Sequence, residues 1–342
     1  MTNGESRDGG YVIVGAGAIG GTLGHHLARA GHEVTVVDAD AGHVRSIAEH
    51  GIVLRRGESR ISAPVRRALT PDTGGPARVE RVLLAVKAQA TGVALDWIAP
   101  RLAADGFVVS VQNGLNEPEI ARRIGPERTV GAFVNLFADV VAPGEIRDGG
   151  RGALVVGELD GSTSARVAQV VADLQAWGPA RATGNVSGYL WSKLGFGAML
   201  AATALADASM ADLIDRHRRV MHGLAREIFA VAAAEGIAPE PFDAFDPAPY
   251  RGDDDDARDA ATDTLVAWLR TQAKDRSGIW RDIAVRHRPT EVPTHYLPVL
   301  DRASRRGVAV PGIQRLVEQI TELEGGATMD ERRIAELAGA LR

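Results

Sequence analysis

The chain contains no cysteine, which removes disulfides, thiolate nucleophiles and cysteine-ligated metal centres at once. It also lacks an excess of charge of either sign. With 39 basic and 44 acidic residues and a formal net charge of -5, it has no global field that would favour a polyanion or an anionic membrane surface. No apolar stretch reaches the roughly 18 residues of a spanning helix. Residues 1–10 are polar, with two acids and one arginine in place of an apolar segment and cleavage site. These absences lead to the expectation of a soluble cytoplasmic protein with neither a nucleic-acid nor a membrane partner. At 342 residues and 45% hydrophobic, the chain can bury two moderate cores, so two domains are expected.

Residues 11–14 (YVIV) form an apolar run without alternation, the pattern of a parallel strand covered on both faces. A glycine-rich turn follows, then Ile19, Leu23 and Leu27 at spacings of four predict a helix ending near Gly31, with a second strand at 34–37. Residues 81–86 and 107–111 read as further buried strands, so the first 110 or so residues predict α/β units building a parallel sheet. Residues 57–64 read as short edge strands. Beyond about Gly125, strand-like stretches at 129–142 and 152–156, broken by turn residues at 143–145 and 147–150, predict antiparallel hairpins appended to that sheet. Residues 164–177 predict a helix capped by Ser164.

From about Gly184 the pattern is helical, with 189–205 and 212–236 the longest stretches. Pro239, Pro241, Pro247 and Pro249 and the acids at 253–256 predict an exposed, mobile loop leading to a helix N-terminus, with cation binding by the acids as the functional alternative. Residues 259–273, 290–306 and 312–324 complete a second domain. Thr290 is the expected N-cap of the middle helix, Pro293 falls in its tolerant first turn, and Pro298 predicts a kink or break. The expected domains are 1–183 and 184–342.

The clearest chemical signal is Gly15-Ala16-Gly17-Ala18-Ile19-Gly20, placed directly after a buried strand and opening a helix. Gly15 permits the tight turn, Gly17 clears the approach of a pyrophosphate, and Gly20 lets helix and strand pack closely. Backbone N–H groups at the helix start, those of Ala18 and Ile19 among them, then point at the phosphates. The competing interpretation is a glycine-rich turn that binds no dinucleotide. Asp38 lies 18 residues after Gly20 at the end of the second strand. A carboxylate there accepts from the adenosine ribose hydroxyls and repels a 2′-phosphate, so NAD is favoured over NADP. Asp40 is the better candidate to cap the following helix.

Over nearly its full length the chain resembles the ketopantoate reductase, or 2-dehydropantoate 2-reductase, family. The likeness runs from the glycine-rich start through LAVKAQ at 84–89, VQNG at 111–114, WSKL at 191–194 and RPTE at 288–291 to RGV at 306–308. It implies an α/β Rossmann-type N-terminal domain followed by an all-α C-terminal domain similar to that of 6-phosphogluconate dehydrogenase, with the active site between them and a homodimer through the helices. It also implies reduction of a 2-oxo acid to a 2-hydroxy acid by a nicotinamide cofactor. By that likeness Lys193 is the general acid, Glu291 orients substrate or cofactor ribose, Asn113 lies near nicotinamide and substrate, and Lys87 and Gln89 line the cofactor site. An ammonium beside a ketone oxygen stabilises the developing alkoxide and donates its proton. Burial and the oxidised nicotinamide lower its pKa while Glu291 raises it, and the sequence leaves the balance open. His295, four residues after Glu291, can face the same site. Neither His295 nor His287 has metal-ligand spacing, so no metal is expected.

Three departures bear on the substrate. The family usually carries asparagines four and eight residues after its lysine; here Gly197 and Ala201 stand there, implying a wall of small residues or room for a ligand. The family's serine falls near Gly278, where Ser277 could serve after a small shift. Trp280 and Arg281 would supply an apolar wall and a carboxylate clamp, with a core position the alternative for Trp280. The combined reading is an NAD(P)-dependent oxidoreductase acting on a 2-oxo or 2-hydroxy acid other than ketopantoate. The alternatives are an authentic 2-dehydropantoate 2-reductase, an NAD-linked alcohol or opine-type dehydrogenase, and a non-catalytic dinucleotide sensor.

Overall fold

The apolar run without alternation lies in strand β1 (Asp8–Val14), where Tyr11, Val12, Ile13 and Val14 are all buried because both faces of the sheet are covered. The computed structural model describes residues 8–272 and 274–341. The chain divides into two units between Val186 and Ser187, against an expected break after residue 183.

In the first unit, β1 is followed by α1 (Ala18–Arg29), β2 (Val34–Val37), α2 (Ala41–His50), β3 (Ile52–Arg56), β4 (Ser59–Ala63), β5 (Arg67–Leu69) and β6 (Val79–Leu84). The chain continues through α3 (Thr91–Ile98), β7 (Leu102–Ser110), α4 (Glu117–Ile124), β8 (Thr129–Val134), β9 (Ala138–Ala142), β10 (Glu145–Asp148), β11 (Leu154–Glu158), α5 (Ala165–Leu174) and β12 (Ala180–Ala182). Eight strands form one sheet in the order β12-β11-β8-β7-β6-β1-β2-β5, parallel except for the β8–β11 pair. The order reverses at β1, with β2 on one side and β6 on the other, which leaves a crevice beyond the strand C-termini. Ile13, Leu23, Val34, Val109 and Val130 form the core on one face, and Val12, Val82, Leu84, Ile98 and Val108 on the other.

The hairpin of β9 and β10 forms, but it is not appended to the parallel sheet. β10 pairs with β3, giving a second sheet in the order β4-β3-β10-β9. Residues 57–64 supply a turn and β4, an edge strand as expected, here of the second sheet. The physical reason is a close contact that strand periodicity does not reveal. Ile146 of β10 is fully buried against α1, where a Cβ on Gly21 would lie 2.3 Å from its terminal methyl.

The second unit contains α6 (Val186–Thr203), which starts at the boundary, then α7 (Met210–Arg216), α8 (Arg218–Ala234), α9 (Ala248–Arg251), α10 (Asp255–Thr271), α11 (Gly278–Ala284), α12 (Val292–Arg306), α13 (Pro311–Glu324) and α14 (Arg332–Ala340). α6 is buried on nearly every side, with Trp191, Leu194, Ala198, Met199 and Ala202 at its core. The stretch at 212–236 is not one helix but two, divided at His217, whose imidazole bonds Glu331. Pro298 does not break α12; Val292, Tyr296, Val299 and Ala303 are buried along the continuous helix. Its N-cap is Glu291 and not Thr290, whose hydroxyl donates to Glu324 Oε1 at 2.6 Å and accepts from Val292 N–H at 3.2 Å. The proline-rich loop is pinned, with Phe242 and Phe245 buried and bonded to each other through both backbone N–H groups. Asp254 caps α10 through Ala257 N–H. α14 was not anticipated; Ile334 and Leu337 bury its inner face.

Packing of α6 on α8 depends on Gly195, where a Cβ would stand 2.4 Å from the Phe229 ring. Gly195→Ala should therefore destabilise the protein by about 1–3 kcal/mol in urea unfolding. Gly339→Ala, on a helical face with nothing within 4 Å, should stabilise it by about 0.4–1 kcal/mol. Equal effects would remove the packing argument.

Candidate functional site

The glycines of the N-terminal loop do separate jobs. Gly15 has φ +93°, and a Cβ there would lie 2.7 Å from Val86 N, so both conformation and packing require glycine. At Gly20 a Cβ would stand 2.0 Å from Gly15 O and 2.8 Å from the Ala85 methyl. Gly17 is different: its φ is -63° and a Cβ would meet nothing within 4 Å. It is the N-cap of α1 and offers no side-chain acceptor to the first N–H groups, at Ala18 and Ile19 among others. Open space beside unpaired helix-start donors is what a pyrophosphate needs, so the loop fits a dinucleotide.

Asp38 is half-buried at the end of β2, where Oδ2 accepts from Ala16 N–H at 2.8 Å and Oδ1 from Asp40 N–H at 2.9 Å. It therefore shapes the glycine loop directly, and each oxygen keeps a further lone pair for a ribose hydroxyl. Asp40 caps α2 by accepting from Gly42 and His43 N–H. His43 went unnoticed in the sequence. Its Nε2–H donates to Ala16 O at 2.9 Å while Nδ1 accepts from Gly144 N–H at 3.0 Å, which joins the loop to the β9–β10 turn. No local pattern marks that role, because Gly144 is 101 residues away.

Lys87 and Gln89 are exposed on the short turn after β6, and Asn113 is exposed just after β7. Because β1, β6 and β7 are parallel neighbours, all three residues lie at the C-terminal edge that also holds the glycine loop. Gln112 Nε2 donates to Val86 O at 2.9 Å and to Thr91 Oγ1 at 2.8 Å, fixing the two segments together.

The second group lies in the helical unit. Burial of Lys193 on α6 pulls its ammonium down from 10.5 to about 8, opposed by the negative charges of Glu291 and Asp243. Desolvation thus outweighs the carboxylates, a balance the sequence left open. Glu291 begins α12, held from behind by Thr290, whose N–H and hydroxyl both donate to Glu324 Oε1. His295 Nε2 lies 3.8 Å from Glu291 Oε1, as their spacing suggests. Asp243 was missed: it has φ +46° in the turn between Phe242 and Phe245. Its signal was an acid among prolines, which reads more readily as loop.

The space inferred at Gly197 is taken. Tyr296 donates its hydroxyl to Leu194 O at 2.8 Å, and that oxygen would lie 3.0 Å from a Cβ at 197. Burial pushes the Tyr296 phenol well above its ordinary range. Ala201 is fully buried with no exposed surface, so it offers no wall to a ligand. The buried Ser277 hydroxyl caps α11 by accepting from Trp280 N–H at 3.1 Å. Trp280 is only partly buried, beneath the Arg276 guanidinium at 5.5 Å.

Crowding at Gly197 should be specific to the tyrosine hydroxyl. Gly197→Asn should reduce thermal stability in the parent and reduce it less in a Tyr296→Phe background, with a coupling of about 0.5–3 kcal/mol in a double-mutant cycle. Additive losses would show that the two positions do not share the space.

The pattern of the family described as ketopantoate reductase PanE/ApbA matches residues 11–161, and that of its C-terminal domain matches residues 185–324. A 2-dehydropantoate 2-reductase of Mesorhizobium japonicum is 35% identical over 209 residues, 54% of this chain and 62% of that protein. The aligned part is therefore a little under two thirds of that relative's length. A PanE/ApbA family ketopantoate reductase of Ralstonia eutropha has the same fold at a TM-score of 0.75 and 27% identity, with 92% of this chain and 98% of the other covered. D-mandelate dehydrogenase, solved with NADH and anilino(oxo)acetate, gives a TM-score of 0.78 at 21% identity over 92% of this chain and 98% of that one, a likeness of fold. A Rossmann-like domain with a dinucleotide-fitting loop, an all-α unit carrying Lys193 and Glu291, and both family patterns in order make the chain a divergent member of the ketopantoate reductase PanE/ApbA family.

Proposed function

We propose that the protein is a 2-dehydropantoate 2-reductase, reducing the keto group of ketopantoate with Lys193 as general acid. The observation that carries this reading is the half-buried Lys193 ammonium, brought to about 8 by desolvation and accompanied by Glu291 and Asp243. The substrate follows the printed names of the relatives. That support outweighs the altered substrate expected from Gly197 and Ala201, since neither position leaves the space that reading assumed. A second reading, a different 2-oxo acid, rests on one feature: Tyr296 puts a phenol where the family usually has an amide.

When bound, the reduced dinucleotide supplies the hydride. Lys193 stabilises negative charge growing on the substrate oxygen and then gives up its proton to complete the alcohol. Glu291, with His295 beside it, favours the protonated lysine. Asp38 is the basis for proposing NAD over NADP, since a 2′-phosphate would meet a carboxylate already committed to the loop.

The acid form of Lys193 is present below about 8 and is lost as pH rises through that value. Carbonyl reduction should therefore decline above about 8, while alcohol oxidation, which needs the free amine as base, should increase over the same interval. Lys193→Ala should lower kcat by about 100-fold or more with little change in dinucleotide affinity. Unchanged turnover, or identical pH profiles in the two directions, would remove the lysine from the chemistry.

Substrate and cofactor can be tested by following NADH and NADPH absorbance with ketopantoate and with branched and aromatic 2-oxo acids. The expected result is the highest kcat/KM with ketopantoate and NADH, and a smaller NADH preference in Asp38→Ala. A clear preference for an aromatic acid would establish the second reading, and an Asp38→Ala effect equal for both cofactors would overturn the ribose argument.

A further inference from the structure

Helix α11 holds two buried donors with no hydrogen-bond partner, Trp280 Nε1 and Arg281 Nε. Both are donors only, so whatever completes them must be an acceptor. A native fold seldom leaves such groups unpaired unless a ligand or solvent meets them. Arg281 is only partly exposed and forms no ion pair among the described residues, although the surrounding arginines do. Arg276 pairs with Asp207 and Asp275, and Arg286 and Arg288 both pair with Asp282. The nearby acids in the sequence are thus engaged elsewhere, and Asp282 Oδ1 alone takes contacts of 2.9, 3.1 and 2.9 Å.

Two further features orient this cation toward a ligand. Gly278 lies three residues before Arg281 on the same face of α11, and a Cβ there would meet nothing within 4 Å. That face of α11 is therefore uncovered one turn before Arg281. In addition, Arg288 N–H donates to Asp282 O at 3.0 Å, which ties the end of α11 to the segment leading into Glu291.

We propose that Arg281 binds the carboxylate of the 2-oxo acid, as a specificity-determining residue. A guanidinium presents a planar fork of donors that matches a carboxylate, which a lysine cannot reproduce. The assignment rests on the proposed reduction of a 2-oxo acid, and it holds for ketopantoate and for other acids of that class alike.

The test compares Arg281→Gln and Arg281→Lys with the parent enzyme, using ketopantoate and its neutral methyl ester. Arg281→Gln should raise KM for the acid by about 10- to 100-fold, leave KM for the dinucleotide unchanged and lower kcat less than KM rises. The parent should prefer acid to ester by a similar factor, and the glutamine variant should lose that preference. Arg281→Lys should recover part of it, and it stands in if the glutamine variant fails to fold by circular dichroism. An unchanged KM for the acid, or a preference that survives both substitutions, would overturn Arg281 as the clamp while leaving the reductase reading intact. If the parent turns over no 2-oxo acid, the reductase reading falls, and equilibrium dialysis of ketopantoate decides Arg281 separately. Weaker retention by the variant would support the clamp; equal retention, or none by the parent, would overturn it.

Discussion

Desolvating the Lys193 ammonium costs free energy that nearby negative charge can offset only in part, and the elements around it reflect that constraint. α6 is apolar on nearly every side, so a lysine within it has little water to rely on. Glu291 reaches it from the start of α12, where Thr290 and Glu324 fix the approach. Asp243 acts from a turn that two buried phenylalanines hold in place, with Phe245 in turn stacked on Tyr250 at 5.4 Å. Packing, capping and an uncommon left-handed aspartate thus tune one proton.

A similar economy operates in the α/β unit, but there the fixed object is backbone. The glycine loop is bonded on one side by Asp38 and on the other by His43, and the backbone of Ala16 serves both, through its N–H and its carbonyl. Asp38 holds the loop in shape, and its remaining lone pairs are the ones proposed to receive a ribose. His43 extends the support to the second sheet, so the phosphate-facing loop and the β9–β10 turn are mechanically one piece. Gly17, free of both strain and contact, is the position whose identity is explained by a ligand and not by the fold.

The departures from the family pattern look different once their neighbours are known. Glycine at 197 suggested a vacancy, yet the Tyr296 hydroxyl lies against it. The phenol occupies space next to the position where the family's amide would start. At Gly278, by contrast, a Cβ would meet nothing within 4 Å, and Nε of the arginine three residues later has no hydrogen-bond partner among the described residues.

Periodicity and glycine placement were sufficient for the alternating strands and helices of the first unit, the dinucleotide loop and the helical character of the second, because each depends on residues close together in the chain. The spacing of Glu291 and His295 on one helical face was legible for the same reason. What spacing could not convey were contacts between distant segments. The pairing of β3 with β10 needs Ile146 to sit against Gly21, His43 finds its partner 101 residues on, and Tyr296 fills a position in another helix. The proton affinity of Lys193 belongs to that second group, since burial and two carboxylates from separate segments set it. The amino-acid order by itself singled out the residues proposed to carry the chemistry; the tertiary structure alone decided their surroundings, because desolvation and steric exclusion are properties of what lies nearby in space.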